Sequence, residues 1–122
     1  MTWTYHQSTG EIDHDGKKVG FGYAGRRPWR YIPQAQNIRD KGPLPQGKYT
    51  MGSHFINDPT TGKNSLRLTP DPRNQMFGRS RFLIHGDNPA HIGDSSDGCI
   101  VAPFRLRLQI LHSGDRILEM VP

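Results

Sequence analysis

The sequence predicts a mainly β fold, a β-sandwich or mixed sheet with one short helix near its C-terminal end. Two observations lead to this prediction. Glycine supplies 14 and proline 10 of the 122 residues, a composition that favours many turns between short elements and excludes long helices. Several short segments alternate apolar and polar residues with the two-residue period of a strand. A chain of this length fits one domain, so we assign residues 1–122 to a single domain.

The first part of the chain begins with strand patterns and continues into a proline-rich segment. Trp3 and Tyr5 share one face of an alternating strand. Asp15-Gly16 is a hairpin signal that precedes an alternating apolar run at 19–23. Residues 25–47 contain four prolines and are too long for a simple turn, so we expect a structured surface loop there.

The second part of the chain contains further strand patterns and the helix. We predict the helix from Pro103 to His112, because proline suits the first turn of a helix, and Ser113-Gly114 terminates it. Turn residues at 57–62 indicate a hairpin loop. The remaining strands are expected at 48–55, 65–69, 81–85 and 116–121.

Charge and composition limit the classes of function. The formal net charge is +5, from 16 Lys and Arg against 11 Asp and Glu. A dense basic cluster of Arg26, Arg27 and Arg30, interleaved with aromatic residues, is compatible with a solvated loop, with nucleic-acid binding or with attraction to a polyanionic matrix such as peptidoglycan. No apolar run approaches the roughly 18 residues of a membrane span, so we expect none.

The residues most indicative of chemistry are Cys99 and His85. Cys99 is the only cysteine, which excludes an internal disulfide and a four-thiolate zinc site. A thiol nucleophile needs a base within hydrogen-bond reach, and His85 ends an apolar strand that would hold it rigidly. We expect the N–H groups of Gly98 and Cys99 to form an oxyanion hole. We also expect an ion pair with His85 to lower the pKa of the thiol.

Simpler interpretations of these residues remain open. A lone cysteine in a small domain is often an inert buried side chain. Alternatively, His85, His91 and Cys99 ligate zinc together with Asp87 or Asp94, although their spacings match no zinc pattern. We therefore predict neither a metal nor another cofactor. The other histidines lie among polar neighbours and are expected at the surface: His6, His14, His54 and His112.

His85-Gly86 followed by Ser96-x-Gly98-Cys99 resembles the active-site signature of L,D-transpeptidase catalytic domains, which is His-Gly and then Ser-His-Gly-Cys. The wider sequence is similar to one subgroup, the L,D-transpeptidase effectors of type VI secretion systems (the Tlde1 family). The resemblance extends from about residue 3 to residue 119, through the segments 3–5, 22–25, 42–49, 68–70, 78–80 and 82–88. Two positions depart from the signature: Asp97 replaces its second histidine, and Val101 replaces the Asn or Arg that usually follows the cysteine by two.

The resemblance implies an L,D-transpeptidase-like fold and a cysteine peptidase of peptidoglycan. Cys99 would attack the carbonyl of the third residue of a tetrapeptide stem, and His85, oriented by the carbonyl of Gly86, would accept the thiol proton. Water or a D-amino acid would then receive the acyl group, giving L,D-carboxypeptidase or L,D-transpeptidase activity. Arg79, unless it is an ordinary exposed arginine, is expected to hold a stem carboxylate. The candidate substrate-binding residues are Ser96, Asp97, Asp87 and Arg79.

The resemblance also implies a biological setting. We expect an antibacterial effector that is made in the producer's cytoplasm, handed to a type VI secretion component and active in the periplasm of the target cell. The first residues show no secretory signal pattern, which agrees with this expectation. A cognate periplasmic immunity protein would occlude the cleft around Cys99. The alternatives are a non-catalytic peptidoglycan-binding module on the same fold and a nucleic-acid binder; we expect no nucleic-acid partner.

Overall fold

The computed structural model describes residues 1–87 and 96–122. Short strands dominate this part of the chain, with one 3-10 helix at Pro33–Asn37 and one α-helix, α1, at Phe104–Ser113. The strands are β1 Trp3–His6, β2 Glu11–His14, β3 Lys17–Phe21, β4 Tyr23–Ala24, β5 Gly47–Met51, β6 Ile56–Asp58, β7 Gly62–Pro70, β8 Phe82–His85, β9 Ile100–Val101 and β10 Ile117–Val121.

The strands form one mixed sheet. Its order is β3-β2-β1-β10-β5-β7-β8-β9-β4, and β6 pairs with β7 beside this path. β1 pairs with β10, and β8 with β9, in parallel, whereas the other pairs on the path are antiparallel. Because β3 and β4 are the two ends of the path and only Gly22 separates them in sequence, the sheet is nearly closed. This confirms the prediction of a mainly β fold with one short helix.

The core lies inside this sheet and is covered on one side by α1. Trp3 and Tyr5 are fully buried while their strand neighbours are partly exposed, as the alternating pattern predicted. The helix contributes Leu106 and Ile110 to the core. It begins directly after Pro103 and ends before Gly114, which has a φ of +75°, so the predicted helix and its boundaries are confirmed to within one residue. Within the described residues, no helix has the length and apolarity that crossing a membrane requires.

Some element predictions differ from the structure. The strand predicted at 48–55 ends at Met51, and the separate strand β6 follows after a bend. The alternating run at 19–23 is divided at Gly22 between β3 and the two-residue strand β4. The two-residue strand β9 had no periodic signal, because alternation cannot be recognised over two residues. The hairpin loop predicted at 57–62 is present as the turn between β6 and β7, where the carboxylate of Asp58 accepts hydrogen bonds from two backbone N–H groups.

The proline-rich segment 25–47 is structured, as predicted, but it is not confined to the surface. Its residues Ala35 and Leu44 are buried in the domain. The N–H of Leu44 donates to the carbonyl of Gly98 at 3.1 Å, so this segment packs directly against the residue that precedes Cys99. The segment therefore forms one wall of the region that positions the cysteine.

Three of the groups assigned to the surface or to the basic cluster are less exposed than the sequence indicated. His6 and His14 are half-buried: His14 stacks on Trp3 with ring centroids 4.2 Å apart, and His6 Nε2 lies 2.7 Å from Asp13. His54 and His112 are exposed, as expected. The basic cluster at 26–31 is also divided, because the guanidinium of Arg30 is buried over the ring of Tyr23 at 4.5 Å. Packing against an aromatic ring explains the burial of His14 and of Arg30.

Candidate active site

The parallel pair β8–β9 brings Cys99 and His85 to the same cleft. His85 pairs with Val101, so Cys99, two residues earlier, lies beside Leu83. The Leu83 N–H donates to Cys99 Sγ at 3.4 Å, and the thiol faces the carbonyl of Arg81 at 3.7 Å. Both catalytic candidates line a cavity of about 890 Å³, which we call the Cys99 cleft. Its walls also include Leu83, Asp97, Arg79, Arg81, Asp58 and Thr60.

His85 is oriented as a neutral base. Its Nδ1 lies 2.8 Å from the carbonyl oxygen of Gly86, and because a carbonyl only accepts, Nδ1 carries the proton. The other ring nitrogen, Nε2, is then left with a lone pair that can accept a proton. Burial of the ring lowers its pKa; the bond to Gly86 opposes this shift, and the positive charge of Arg107 adds to it. His85 is therefore uncharged at neutral pH.

The thiol of Cys99 is protonated at neutral pH. Burial is the main cause that raises its pKa to about 11. The hydrogen bond from the Leu83 N–H favours the thiolate and lowers the pKa, whereas the negative charge of Asp97 disfavours the thiolate and raises it. The expectation that an ion pair with His85 lowers the thiol pKa is therefore wrong: the thiol pKa is raised, removal from water is the largest cause, and His85 is itself neutral. The site at rest therefore holds a neutral thiol and a neutral imidazole in one cleft, and among the described residues the thiol's contacts are to Leu83 and Arg81, with no hydrogen bond to His85.

Ser96 holds the turn that presents Cys99. Its side chain is buried, and its hydroxyl oxygen accepts hydrogen bonds from Gly25 N at 2.8 Å and Gly98 N at 3.0 Å. The same hydroxyl donates to the carbonyl of Cys99. A serine hydroxyl has one donor and two acceptor positions, and all three are occupied here. Ser96 thus positions the turn, which corrects the expectation that it binds substrate.

Gly98 is required by the geometry of the turn. Its φ is +141°, and a Cβ at this position would lie 2.4 Å from a guanidinium nitrogen of Arg79. Its N–H donates to Ser96, so it is not a free oxyanion donor in this arrangement. The expected oxyanion role of Gly98 conflicts with that bond. The guanidinium of Arg79 occupies the space where a side chain at this position would lie.

Arg79 is not an ordinary exposed arginine, and its guanidinium is not free to bind a substrate carboxylate. Its side chain is buried, with NH1 donating to the carbonyls of Gln36 and Pro43 at 2.6 and 2.8 Å. NH2 donates to the carbonyls of Gly42 and Asp97 at 3.0 and 3.2 Å. These bonds use all four terminal N–H groups, so the expected role in holding a stem carboxylate is wrong. Arg79 instead joins the proline-rich segment to the turn before Cys99.

The two acidic candidates lie in different places. Asp97 is exposed at the Cys99 cleft and pairs with the guanidinium of Arg26. Asp87 accepts a hydrogen bond from the hydroxyl of Tyr23 and lines a second cavity of about 470 Å³. Asp97 is thus placed for a role at the cleft, but Asp87 is not among the residues that line it. The side of the sheet on which Asp87 falls depends on how the chain leaves β8, which local sequence does not encode.

Arg107 is a residue of this site that sequence reasoning missed. It is buried on α1, donating from Nε to the carbonyl of Ala102 at 3.1 Å and from NH1 to that of Asn64 at 2.7 Å. A Cβ added to Gly86 would lie 2.7 Å from its NH2, so the guanidinium packs against the residue that orients His85. The available signal was its spacing, three residues before buried Ile110, which places a cation on the apolar face of the helix.

The zinc alternative falls partly outside the described residues, since His91 and Asp94 belong to 88–95, as do Asn88 and Ser95 of the sequence motifs. Within 1–87 and 96–122, the groups with metal-ligand spacing are His6 with Glu11 and Asp13, and His14 with Asp15 and Asp115. Neither group includes His85 or Cys99, and neither lines the Cys99 cleft.

The fold and the site together define a mainly β domain with a cysteine–histidine candidate active site at the ends of two adjacent strands. The family model of the Tlde1 domain matches residues 19–114, and the chain belongs to this family. The match confirms the resemblance found in the sequence. It supports a type VI effector-like domain and is consistent with an enzyme. A search of curated proteins finds no match to the chain.

Proposed function

We propose that this domain is an antibacterial effector that acts on peptidoglycan as a cysteine L,D-carboxypeptidase, an L,D-transpeptidase or both. The observation that carries the proposal is the orientation of His85, whose Nδ1 is committed to Gly86 while the ring shares a cleft with Cys99. Membership of the Tlde1 domain family agrees with it. The substrate would be a tetrapeptide stem with a terminal D-alanine.

In the first half of the reaction, Cys99 Sγ attacks the carbonyl carbon of the third stem residue. Because the thiol is protonated at rest, its proton passes to His85 Nε2 as the carbon–sulfur bond forms. The imidazolium then gives this proton to the nitrogen of D-alanine as the peptide bond breaks. The products are free D-alanine and a thioester between the stem and Cys99.

In the second half, water or the neutral amine of a D-amino acid attacks the thioester carbonyl. His85 Nε2 accepts the proton of the attacking group and returns it to the departing sulfur of Cys99. Water gives a tripeptide stem, the carboxypeptidase product, and an amine gives a stem with an exchanged terminal residue. Either product lacks the D-alanine-terminated tetrapeptide that cross-linking consumes.

The family membership also supports a proposal for where the protein acts and with which partners. A type VI delivery component would carry it from the producer's cytoplasm to the target cell's periplasm, where the stems are accessible. The producer would protect itself with a periplasmic immunity protein that covers the Cys99 cleft. The test is to express the protein in the periplasm with and without a candidate partner and to measure growth. An immunity protein should restore growth, and a candidate that does not restore growth is not the immunity protein.

The test of the activity is mass spectrometry of purified muropeptides incubated with the protein. We expect loss of D-alanine from tetrapeptides, or its replacement by an added D-amino acid, and loss of both activities in Cys99→Ala and His85→Ala. His112→Ala, at an exposed histidine, is the matched control and should retain activity. Unchanged tetrapeptides with a folded wild-type protein would contradict the assignment.

A non-catalytic peptidoglycan-binding module is the second candidate, favoured by the raised pKa of the half-buried Cys99 thiol. It predicts that the protein sediments with intact sacculi but leaves every stem unchanged. Slow thiol alkylation agrees with both candidates, because a thiol activated only during attack is also unreactive at rest. Product formation from muropeptides is therefore the observation that separates them.

A further inference from the structure

The second cavity, of about 470 Å³, has no part in the reaction scheme, and we call it the Arg107 pocket. It is lined by four parts of the chain: the β3–β4 junction at 21–23, residues 86–87 after β8, residues 101–103 at and after β9, and the first turn of α1 with Phe104 and Arg107. None of these residues lines the Cys99 cleft. The Arg107 pocket is therefore separate from the place where the proposed reaction occurs.

The guanidinium of Arg107 is buried but only partly hydrogen-bonded. The residue is 7% exposed, and two of its five N–H groups have acceptors: Nε donates to the carbonyl of Ala102 and NH1 to that of Asn64. Within residues 1–87 and 96–122, the other N–H groups, including both on NH2, have no acceptor. A Cβ added to Gly86 would lie 2.7 Å from NH2, and both residues line the pocket. The unpaired donors therefore lie where Arg107 and Gly86 border the pocket.

Arg107 also has no anionic partner in the part of the chain that the structure describes. It takes part in none of the ion pairs found there. Burial lowers its pKa, and no carboxylate of the described residues opposes that shift. Buried charges in proteins are ordinarily paired, because a charge removed from water without a partner is costly. A buried cation with unused donors at a cavity wall indicates that the missing partner is an anion.

The walls of the pocket indicate what the rest of the ligand is. Phe21 and Phe104 line it and are 49% and 46% exposed, and residues 101–103 add apolar surface. Apolar walls with a few placed polar groups are typical of sites for small organic ligands. The other charged residue of the pocket, Asp87, accepts a hydrogen bond from the hydroxyl of Tyr23, and its negative charge disfavours a dianion. A ligand with one negative charge and an apolar body fits these walls.

We propose that the Arg107 pocket binds an apolar monocarboxylate, with its carboxylate on the guanidinium of Arg107 and its body against Phe21 and Phe104. A carboxylate supplies the acceptor oxygens that the unpaired donors lack, in charge-assisted hydrogen bonds that arginine makes well. Its single charge matches the single buried cation. The proposal goes beyond the proposed function and does not depend on it, because it concerns a different cavity.

A ligand in this pocket would also act on His85. Gly86 contacts both groups, since its carbonyl accepts from His85 Nδ1 and its Cα faces NH2 of Arg107. Among the charges that act on His85, that of Arg107 lowers its pKa, and those of Asp58 and Asp87 raise it. A bound carboxylate offsets the charge of Arg107, so the pKa of His85 should rise on binding. The pocket would then let a ligand tune this histidine without entering the Cys99 cleft.

The test is a titration of the protein with benzoate, followed by NMR at the Gly86 amide. Benzamide has a similar shape but no charge, and inorganic phosphate has charge but no apolar body. We expect saturable shifts at Gly86 with benzoate, and about tenfold weaker binding of both comparison probes, because each lacks one half of the interaction. At saturation with benzoate, the pKa of His85, followed through its ring protons, should be higher than in the free protein.

Variants separate the two halves of the ligand. Arg107→Gln should weaken benzoate binding about tenfold and leave the weak binding of benzamide unchanged, whereas Phe104→Ala should weaken both. The matched controls are Arg105→Gln, an exposed arginine of the same helix, and Phe77→Ala, an exposed phenylalanine outside the pocket. Both should bind benzoate like the wild type. If Arg107→Gln does not fold, Arg107→Lys, which keeps the charge but has fewer donors, should still bind benzoate less tightly than the wild type.

The contrary outcomes are distinct. Equal affinity for benzoate and benzamide, or for benzoate and phosphate, would overturn the assignment to an apolar monocarboxylate. Shifts confined to exposed arginines with the Gly86 amide unmoved, or a pKa of His85 that is unchanged at saturation, would place the anion elsewhere and overturn the site. Because none of these measurements uses muropeptides, failure of this inference and failure of the proposed activity are distinguishable.

Discussion

His85 donates from Nδ1 to the carbonyl oxygen of Gly86, the next residue in the chain, at 2.8 Å. This bond determines the tautomer of the ring, so Nε2 is the nitrogen that is able to accept a proton. Because β8 ends at His85, the carbonyl of Gly86 is free of the sheet ladder and available for this contact. The orientation of the base is therefore a consequence of where the strand stops.

The first prediction concerns the reactivity of Cys99. Because burial raises the thiol pKa to about 11, alkylation by iodoacetamide at pH 7.5 should be about two orders of magnitude slower than that of a free cysteine. The rate should still be rising at pH 10, which mass spectrometry of the labelled protein can follow. His85→Ala should leave this rate unchanged at pH 7.5 if no resting ion pair exists. A fast rate that this variant abolishes would show that the ion pair does form.

The second prediction concerns stability in acid. The pKa of His85 is lowered in the folded state from its ordinary value of 6.5, so the unfolded state binds the proton more readily. The protein should therefore lose stability as the pH falls below about 6.5, and His85→Gln should lose less over the same interval. Urea unfolding at pH 7.5, 6.5 and 5.5 measures this difference. His112→Gln is the matched control, and a wild type and His85→Gln with parallel pH profiles would refute the prediction.

The third prediction concerns Gly98. An alanine there must adopt a φ of +141° and place its Cβ 2.4 Å from a nitrogen of buried Arg79, so Gly98→Ala should cost about 2–4 kcal/mol of unfolding free energy. Gly62→Ala is the matched control, because Gly62 has a φ of +92° but no atom within 4 Å of an added Cβ. It should cost only about 1 kcal/mol. Equal losses in chemical denaturation would show that backbone strain alone, not the contact with Arg79, matters at Gly98.

The fourth prediction concerns Arg107, a positioning residue that acts through Gly86. Its positive charge contributes to the lowered pKa of His85, so Arg107→Gln should move the acidic limb of the kcat/KM profile to higher pH. Arg107→Lys retains the charge and should return the limb towards the wild-type position. The pH dependence of D-alanine release measures both variants. A loss of activity with an unmoved profile would indicate a purely structural role.

Local sequence patterns predicted much of the fold. Alternation identified the strand of Trp3 and Tyr5, and Pro103 with Gly114 marked the two ends of α1. The two-residue strand β9 was missed because it is stabilised by its neighbours rather than by its own pattern. The motif also singled out His85 and Cys99, which the structure places in one cleft, although their catalytic roles remain predictions.

The sequence by itself determined the fold class, the family and the two residues on which the chemistry would depend. Only the tertiary structure decided how those residues are poised and what their neighbours do. The raised pKa of Cys99 follows from burial. The guanidinium of Arg79 donates hydrogen bonds to backbone carbonyls, including that of Gln36, which is 43 residues away in sequence. Desolvation and hydrogen bonds between distant segments arise from packing. No local pattern of residues specifies them, and this is why the burial of Arg107 beside Gly86 emerged only from the folded chain.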